Sequence, residues 1–338
     1  MNFSGSGTSQ EIEHQSSVLP GYVAYLTLLF KLIATTVNLS FVSWVVFTIK
    51  VTRSLHKSHN IFLANLLISD MVITLSGTIM TGAVMISYQL GVEPPISCYA
   101  LQLRILPFYV HIWSFVILAA DKVIAVTSPF KHRRKMTPRF MCAVIGGTWL
   151  LAVIVTAYFI AKHGDDVTYV PEFGVCIHEG NGFIDLIVFA LMPALVTTII
   201  TVVLNIYLAM KAHQIQKQID NETRLAGHNI QSENLKALKK KQRNIKRNRK
   251  PITTLLVVIS GQALIDLFFV PFHVLGRYFI DSQDYHKFMN YVIFYNMDYV
   301  LQFYTLLVYG LYFKQVREPM MKHLKRWLGI NNSVAPQS

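Results

Sequence analysis

The chain alternates between long apolar runs and shorter polar connections, and this pattern occurs seven times. A transmembrane α-helix needs about 20 predominantly apolar residues to cross the hydrocarbon core of a bilayer. We therefore predict seven membrane-spanning helices, called spans 1 to 7, over residues 22–49, 61–90, 100–126, 141–161, 183–210, 252–274 and 291–313. Lys31 interrupts span 1, and Arg104 and His111 interrupt span 3.

A different pattern follows span 7. In residues 313–328 the apolar side chains recur at helical spacing along one side of a basic segment: Phe313, Val316, Met320, Leu324 and Trp327. A strongly amphipathic basic helix of this kind lies in the plane of the membrane interface. The sequence therefore predicts an all-α membrane protein: a single seven-transmembrane helix bundle with a short amphipathic helix after the last span.

Positive charge is distributed unevenly between the connections. Of the 31 Lys and Arg residues, 26 lie on one side: three after span 1, six at the end of span 3 and beyond it, twelve after span 5 and five after span 7. Cytoplasmic loops carry such an excess, so we expect an extracellular amino terminus and a cytoplasmic carboxyl terminus in the plasma membrane. The expected parts are an extracellular segment 1–21, a transmembrane domain 22–313 with a basic third intracellular loop 211–250, and a cytoplasmic amphipathic helix and tail 314–338.

The composition restricts the classes of function that the chain can have. Hydrophobic residues make up 53% of the chain and charged residues only 14%, whereas soluble domains have about 25% charged residues. The net charge of +13 could indicate nucleic-acid binding, but its basic run 236–250 lies between two spans. There it would attract anionic membrane lipids or contact a cytoplasmic partner. We find no nucleophile–base spacing, phosphate loop or metal-ligand pattern, and we expect no enzymatic activity and no cofactor.

Several short motifs bear on function. Span 2 contains NIFLANLLISD (60–70), which ends in the buried acid Asp70, and span 3 ends in DKVIAVTSPF (121–130). Span 7 continues into TLLVYGLYFKQVREPMMKHLKRWL (305–328), which contains Tyr309. Five single residues within or beside the spans also bear on function: Cys98, Trp149, Cys176, Pro193 and Pro271.

Together these motifs, over about residues 22–328, resemble the rhodopsin-like (class A) G-protein-coupled receptor family, as a divergent orphan-type member. The resemblance implies an extracellular ligand that binds between spans 3, 5, 6 and 7, and a heterotrimeric G protein as the cytoplasmic partner. It also implies a disulfide between Cys98 and Cys176, and a pivot of span 6 near Pro271.

The resemblance assigns a switch to Asp121, Lys122, Pro271 and Tyr309. In the family an arginine at the Lys122 position pairs with the neighbouring acid in the resting receptor and contacts the G protein in the active one. Lysine lacks the planar fork of donors that arginine has, so we expect the pairing with Asp121 to survive and the fork geometry to be lost. The alternative is that this ion pair only marks the end of the span, with the side chain of Lys122 extended towards the membrane–water interface.

Other positions also depart from the family pattern. Thr305-Leu306 stands where the family has Asn-Pro, Phe269 where it has Trp, and Thr201 where it has Tyr. These departures leave open a receptor-shaped binding or scaffold protein with little G-protein signalling. A transporter or channel is less favoured, because such proteins often contain internal repeats and we see none.

Ionisable residues inside spans are costly and therefore mark functional sites. Arg104 would lie roughly 9 Å below Cys98, and Asp298 roughly 10 Å into span 7. We expect these two residues to pair in the ligand pocket, although Arg104 could instead hold an acidic ligand, or the pair could be a purely structural clasp. The expected ligand-binding residues are Arg104, Phe108, Asp266, Phe269, His273, Asp298 and Gln302.

A buried polar core is expected deeper in the bundle, at Asp70, His111 and Thr305. In many relatives the acid that matches Asp70 binds sodium, but His111 could protonate and pair with it here, so we expect weak or absent sodium sensitivity. Asn2, in the sequence NFS, matches a glycosylation acceptor.

Overall fold

The computed structural model describes residues 21–90, 103, 105–163, 167–170, 175–178, 192–229 and 314–327. Its helices, numbered in chain order, are α1 Gly21–Val51, α2 Ser58–Leu90, α3 Ile105–Thr127, α4 Pro129–Lys135, α5 Pro138–His163, α6 Met192–Asn229 and α7 Lys314–Trp327. A 3-10 turn, Arg53–Leu55, connects α1 to α2. The helix α3 occupies a central place, because it packs against α2, α5 and α6.

Five of the described helices are long and apolar enough to cross a membrane: α1, α2, α3, α5 and α6. They correspond to the predicted spans 1 to 5, whereas spans 6 and 7 lie outside the described residues. Large apolar side chains such as Leu29, Ile33, Ile154 and Val203 are more than half exposed on the outside of these helices. Such surfaces are expected where lipid, and not water, surrounds the bundle.

Two helices differ in extent from the predicted spans. Span 3 was expected from residue 100, but Leu103 lies in a turn and α3 begins at Ile105. Pro107 then lies in the first helical turn, where its missing N–H is not needed. Span 5 was expected to end at residue 210, but α6 continues to Asn229. Hydropathy marks where a helix leaves the membrane, and the polar residues that follow are good helix formers without proline.

The connection after span 4 contains a feature that apolar runs do not predict. Strands β1 Val167–Val170 and β2 Val175–His178 pair in an antiparallel hairpin, with Tyr169 opposite Cys176. Cys176 therefore has a place on a strand, but Cys98 lies outside the described residues, and the disulfide between them stays a prediction.

Two apolar clusters hold the bundle together. One joins α1, α2 and α3 towards their inner ends and includes Val45, Leu66 and Leu118. The other joins α3 to α5 and α6 through Val110, Phe159 and Ala194. The predicted amphipathic helix is confirmed as α7, which inserts Val316 and Met320 into the first cluster and so lies against α1.

Candidate functional site

A cluster of three polar side chains lies at the end of the bundle that the charge distribution predicts to be cytoplasmic, called the inner end here. Asp121 on α3 accepts a 2.8 Å hydrogen bond from the hydroxyl of Ser58 at the start of α2. Its Oδ1 also lies 2.8 Å from Nε2 of His132 on α4, and the two partners of the acid are 3.4 Å apart. We call Ser58, Asp121 and His132 the inner cluster. Because a carboxylate only accepts hydrogen bonds, Nε2 carries the proton in this contact.

The local sequence explains how His132 reaches an acid eleven residues earlier. The helix α3 ends at Thr127, and Pro129 occupies the first turn of α4, where its fixed backbone angle favours a new helix start. The chain therefore turns at Ser128, and one helical turn of α4 brings His132 back to α3. The inner cluster thus ties two membrane helices to the connection between α3 and α5.

The partners of Asp121 in the structure differ from the expected partner, Lys122. The carboxylate bonds to Ser58 and His132, and within the described part of the chain Lys122 has no carboxylate oxygen within ion-pair distance. Consecutive residues on a helix point in directions about 100° apart, so adjacency in sequence does not by itself bring the two side chains into contact. Lys122 is half-buried.

The expected contact between His111 and Asp70 is present at mid-membrane depth. Nδ1 of His111 lies 2.6 Å from Oδ1 of Asp70, and each side chain is only 8% exposed. The nitrogen and the oxygen are close but not aligned as a hydrogen bond. The imidazole also stacks edge-to-face on Phe115, with ring centroids 4.8 Å apart. We call Asp70 and His111 the mid-membrane pair.

The contact between His111 and Asp70 bears on the predicted response to sodium. Hard cations are bound by oxygen ligands, and here one oxygen of the Asp70 carboxylate contacts an imidazole nitrogen instead. The weak sodium sensitivity expected from the sequence stays a prediction.

A neutral polar bridge connects three helices one to two turns further inward. The side-chain amide of Asn65 on α2 donates to the hydroxyl of Ser114 on α3 at 2.9 Å. The carbonyl oxygen of the same side chain accepts a 3.0 Å hydrogen bond from the indole N–H of Trp149 on α5. Asn65 therefore uses both ends of its side chain to fix the spacing of α2, α3 and α5.

A second set of polar contacts joins α1 to α2. Asn38 donates to the hydroxyl of Thr74 at 2.9 Å, and the hydroxyls of Thr35 and Thr78 lie 2.5 Å apart. One turn above Thr35, the charged side chain of Lys31 is only 2% exposed, which places it inside the bundle and not against lipid.

The structure describes one of the residues expected in the ligand pocket, Phe108. Phe108 lies on α3 and packs, half-buried, against the cluster that joins α3 to α5 and α6. The remaining expected ligand, switch, core and modification residues lie outside the described residues: Asn2, Arg104, Asp266, Phe269, Pro271, His273, Asp298, Gln302, Thr305 and Tyr309.

Sequence reasoning missed several residues of these clusters, among them Ser58, His132, Asn65 and Ser114. Ser58 and His132 were not singled out, because they lie in short connections where apolar periodicity carries no information. Asn65 lies inside the motif NIFLANLLISD, and a polar amide within an apolar span was the available signal for it. Lys31 was noted as an interruption of span 1, whereas its burial makes it part of the bundle interior.

Comparison with known proteins agrees with this architecture. The family model described as 7 transmembrane receptor (rhodopsin family) matches residues 43–309, which is most of the chain and includes the mid-membrane pair and Asp121. The chain belongs to the rhodopsin family of seven-transmembrane receptors. This is a family of receptors and not of enzymes, and its multi-pass architecture makes this chain a multi-pass membrane protein with a seven-helix fold.

Two dopamine receptors are similar over short segments. A D(1)-like dopamine receptor from Oreochromis mossambicus is 45% identical over 40 residues, which is 12% of this chain and 10% of that receptor. The D(1) dopamine receptor of Carassius auratus is 38% identical over 45 residues, 13% of this chain and 12% of that receptor. The matched segments thus span about a tenth of the length of these receptors. This similarity supports membership of the family, but it does not identify the ligand of this chain.

Proposed function

We propose that this protein is a G-protein-coupled receptor of the plasma membrane, with its amino terminus outside and its carboxyl terminus in the cytoplasm. Family membership supports this proposal, and the positive-inside distribution of Lys and Arg supports the topology. In this topology residues 1–21 are extracellular, 22–313 form the receptor domain with the loop 211–250 inside the cell, and 314–338 are cytoplasmic.

The inner cluster is the observation that carries the signalling proposal. The acid at the family's switch position, Asp121, is engaged by Ser58 and His132, and these bonds hold α4 against α3. A G protein must enter where α3 meets the inner connections, so a receptor with these bonds intact is at rest. Opening of the inner end, with span 6 pivoting near Pro271, would expose Lys122 to the G protein.

The extracellular ligand is proposed to bind between spans 3, 5, 6 and 7, in contact with Arg104, Phe108, Asp298 and their neighbours. By binding the open state more tightly, the ligand shifts the population towards it. Dopamine, which names the two similar receptors, is a cation and needs a carboxylate partner. The outer half of span 3 offers the cation Arg104 and no acid, so an acidic group on the ligand suits that wall better.

The test is a ligand screen read out by sensors for several G proteins, with acids, amines, lipids and peptides as the ligand classes. We expect at least one ligand to activate the wild-type receptor, and Lys122→Ala, which leaves the inner cluster bonds in place, to bind that ligand without activating any sensor. Activation that is unchanged in Lys122→Ala would contradict the assigned role of the lysine.

A receptor-shaped protein that binds its ligand without signalling is the second candidate. The observation that favours it is the set of departures at Lys122, Phe269 and Thr305-Leu306 from the family's switch residues. The two candidates differ in one measurement: only a signalling receptor accelerates nucleotide exchange on purified G proteins. The absence of exchange on every G protein tested, from a folded and ligand-binding receptor, would favour this second candidate.

A further inference from the structure

The inner cluster contains a titratable ring at a place that protons in the surrounding water can reach. Asp121 is 2% exposed, whereas His132, whose Nε2 lies 2.8 Å from Oδ1 of that acid, is 17% exposed. Histidine is the side chain whose charge ordinarily changes between about pH 5 and pH 8. The charge across this contact can therefore change within a physiological range of pH.

The neutral and the cationic form of His132 hold Asp121 with different strength. In either form Nε2 donates to the carboxylate, because the acid only accepts hydrogen bonds. A proton added at Nδ1 places a full positive charge beside the carboxylate. Opposite charges attract more strongly where water is excluded, and the low exposure of Asp121 indicates such a place. Protonation of the ring therefore strengthens the bond that ties α4 to α3.

The charges around His132 set the direction in which a change of pH acts. On α3 the ring faces Asp121, and Lys122 is the next residue of that helix. At the start of α2 it faces the neutral hydroxyl of Ser58 and lies close enough to His59 for two positive charges to repel each other. The remaining cations lie on α4 itself and are exposed: Lys131, Arg133, Arg134 and Lys135. Salt and water screen these exposed charges, so the carboxylate in direct contact has the largest effect.

Of the two histidines at this end of the bundle, His132 is the one that can hold a proton. The side chains that act on His59 are Lys57, Lys122 and His132, which all oppose a positive charge on its ring. A positive charge on His132 lies against an acid instead. The two rings are therefore neighbours with opposite preferences, and each can serve as the control for the other.

The resting arrangement holds the ring against the carboxylate, and an open inner end does not. When α4 leaves α3, Ser58 can still donate to Asp121, but His132 moves into water among the cations of α4. A proton on His132 is therefore bound more tightly in the resting state. Linkage is reciprocal, so protons favour the resting state by the same free energy.

We propose that the inner cluster is a pH sensor, in which protonation of His132 stabilises the resting receptor. A fall of cytoplasmic pH then lowers the output of the receptor, and a rise of pH releases α4 and raises the output. This consequence for signalling rests on the proposed function, and the side from which the protons arrive rests on the proposed topology. The pH dependence of the contact itself rests on neither.

Hydrogen exchange of the α4 amides tests the sensor on the full-length receptor in nanodiscs, without ligand or G protein. Mass spectrometry measures exchange at several values between about pH 6 and pH 8, and each rate is divided into the intrinsic rate at that pH. We expect the protection factor of α4 to be about threefold higher at the acidic end, because the ring then carries its charge. Protection that does not depend on pH, or that falls towards the acidic end, would overturn the proposal.

Three variants assign the response to the ring and the acid. His132→Gln keeps a side-chain N–H donor but does not titrate, and Asp121→Asn keeps the ring but removes the negative charge. Each should make the protection of α4 independent of pH. His132→Arg carries its charge at every pH and should give the same flat response, which guards against poor folding of the glutamine variant. A pH response that persists in the folded variants contradicts the proposal.

His59→Gln and His56→Gln are the matched controls, because each removes one histidine near the same end without removing a partner of Asp121. Both should keep the pH response of the wild type. If His59→Gln loses the response while His132→Gln keeps it, the sensor lies at His59 and the proposal is wrong.

Nucleotide exchange on purified G proteins tests the consequence for signalling. The basal rate of the wild type, divided by that of His132→Gln at the same pH, should rise about threefold from about pH 6 to pH 8. A ratio that stays constant or falls would overturn the regulatory role. A receptor that drives no exchange at any pH would contradict the proposed function instead, and the amide measurement would still decide whether His132 is the sensor.

Discussion

Two contacts between an aspartate and a histidine lie in the described helices, and their surroundings differ. The mid-membrane pair, Asp70 and His111, joins two long helices, and both side chains are 8% exposed. In the inner cluster, Asp121 is 2% exposed but His132 is 17% exposed and lies on a helix of seven residues. The same two side-chain types therefore form one contact in a closed interior and one at an open edge.

The difference indicates different roles. A charge taken out of water is costly to leave without its partner, and α2 and α3 cannot separate at mid-depth without breaking much apolar packing. The mid-membrane pair is therefore a structural clasp. Rupture of the inner contact costs less, because water can replace His132 and Ser58 can still donate to Asp121. A contact that opens at low cost is suited to a switch.

The largest effect is expected from breaking the mid-membrane pair. His111→Leu leaves the carboxylate of Asp70 buried beside an apolar group, which should lower the free energy of unfolding by about 3–5 kcal/mol. Thermal unfolding of the purified receptor in nanodiscs measures it. The double variant Asp70→Asn/His111→Leu should recover part of the loss, and a double variant as unstable as the single one would contradict the pairing.

A smaller effect is expected at the neutral bridge of the same region. Asn65→Leu removes the partner of both Ser114 and the indole of Trp149, and unsatisfied buried groups cost about 1–3 kcal/mol. Trp149→Phe is the matched control, because it removes one donor only and should cost about 1 kcal/mol. The same unfolding assay compares them, and equal stability of Asn65→Leu and the wild type would show that the bridge is not formed.

The inner cluster should contribute least to stability. His132→Ala removes a partner that lies at the edge of the bundle and is 17% exposed, so the free energy of unfolding should fall by about 1 kcal/mol or less, well below the effect of His111→Leu. His56→Ala, at an exposed histidine of the 3-10 turn whose ring contacts the carbonyl of Lys50, is the control for loss of a surface imidazole. A loss in His132→Ala as large as that in His111→Leu would remove the distinction between the two regions.

Sodium should have almost no effect. Replacement of N-methylglucamine chloride by sodium chloride at constant ionic strength should leave the melting temperature of the wild type unchanged, because the imidazole of His111 already occupies one oxygen of the Asp70 carboxylate. In His111→Ser a hydroxyl replaces the imidazole, and sodium should then stabilise the receptor, since oxygen ligands surround the cation. Clear stabilisation of the wild type by sodium would contradict the pairing.

The spans themselves could be predicted because each has a physical signature that is local in sequence. A run of about 20 apolar residues is required by the thickness of the bilayer, and the predicted span 1 (22–49) agrees with α1 (Gly21–Val51) to within two residues. The polar extension of α6 to Asn229 could not be predicted in the same way. Hydropathy indicates which part of a helix lies in the membrane, but it does not indicate where the helix ends.

The candidate site could be predicted only in part. The contact between Asp70 and His111 followed from the family resemblance, which matches His111 to the span 3 position beside the acid. His132 could not be predicted as the partner of Asp121, because its place depends on the turn at Ser128 and on the direction of α4. The expected partner, Lys122, is adjacent in sequence, but adjacency on a helix separates the directions of two side chains.

The most direct test of the account is the basal rate of nucleotide exchange that the receptor produces on purified heterotrimeric G proteins without ligand. Asp121→Asn and His132→Ala should raise this rate about fivefold over the wild type, because each removes a contact that favours the resting state, whereas His56→Ala should leave it unchanged. If neither variant exceeds the wild type while both remain folded, the inner cluster is not the switch, and the signalling role proposed here is contradicted.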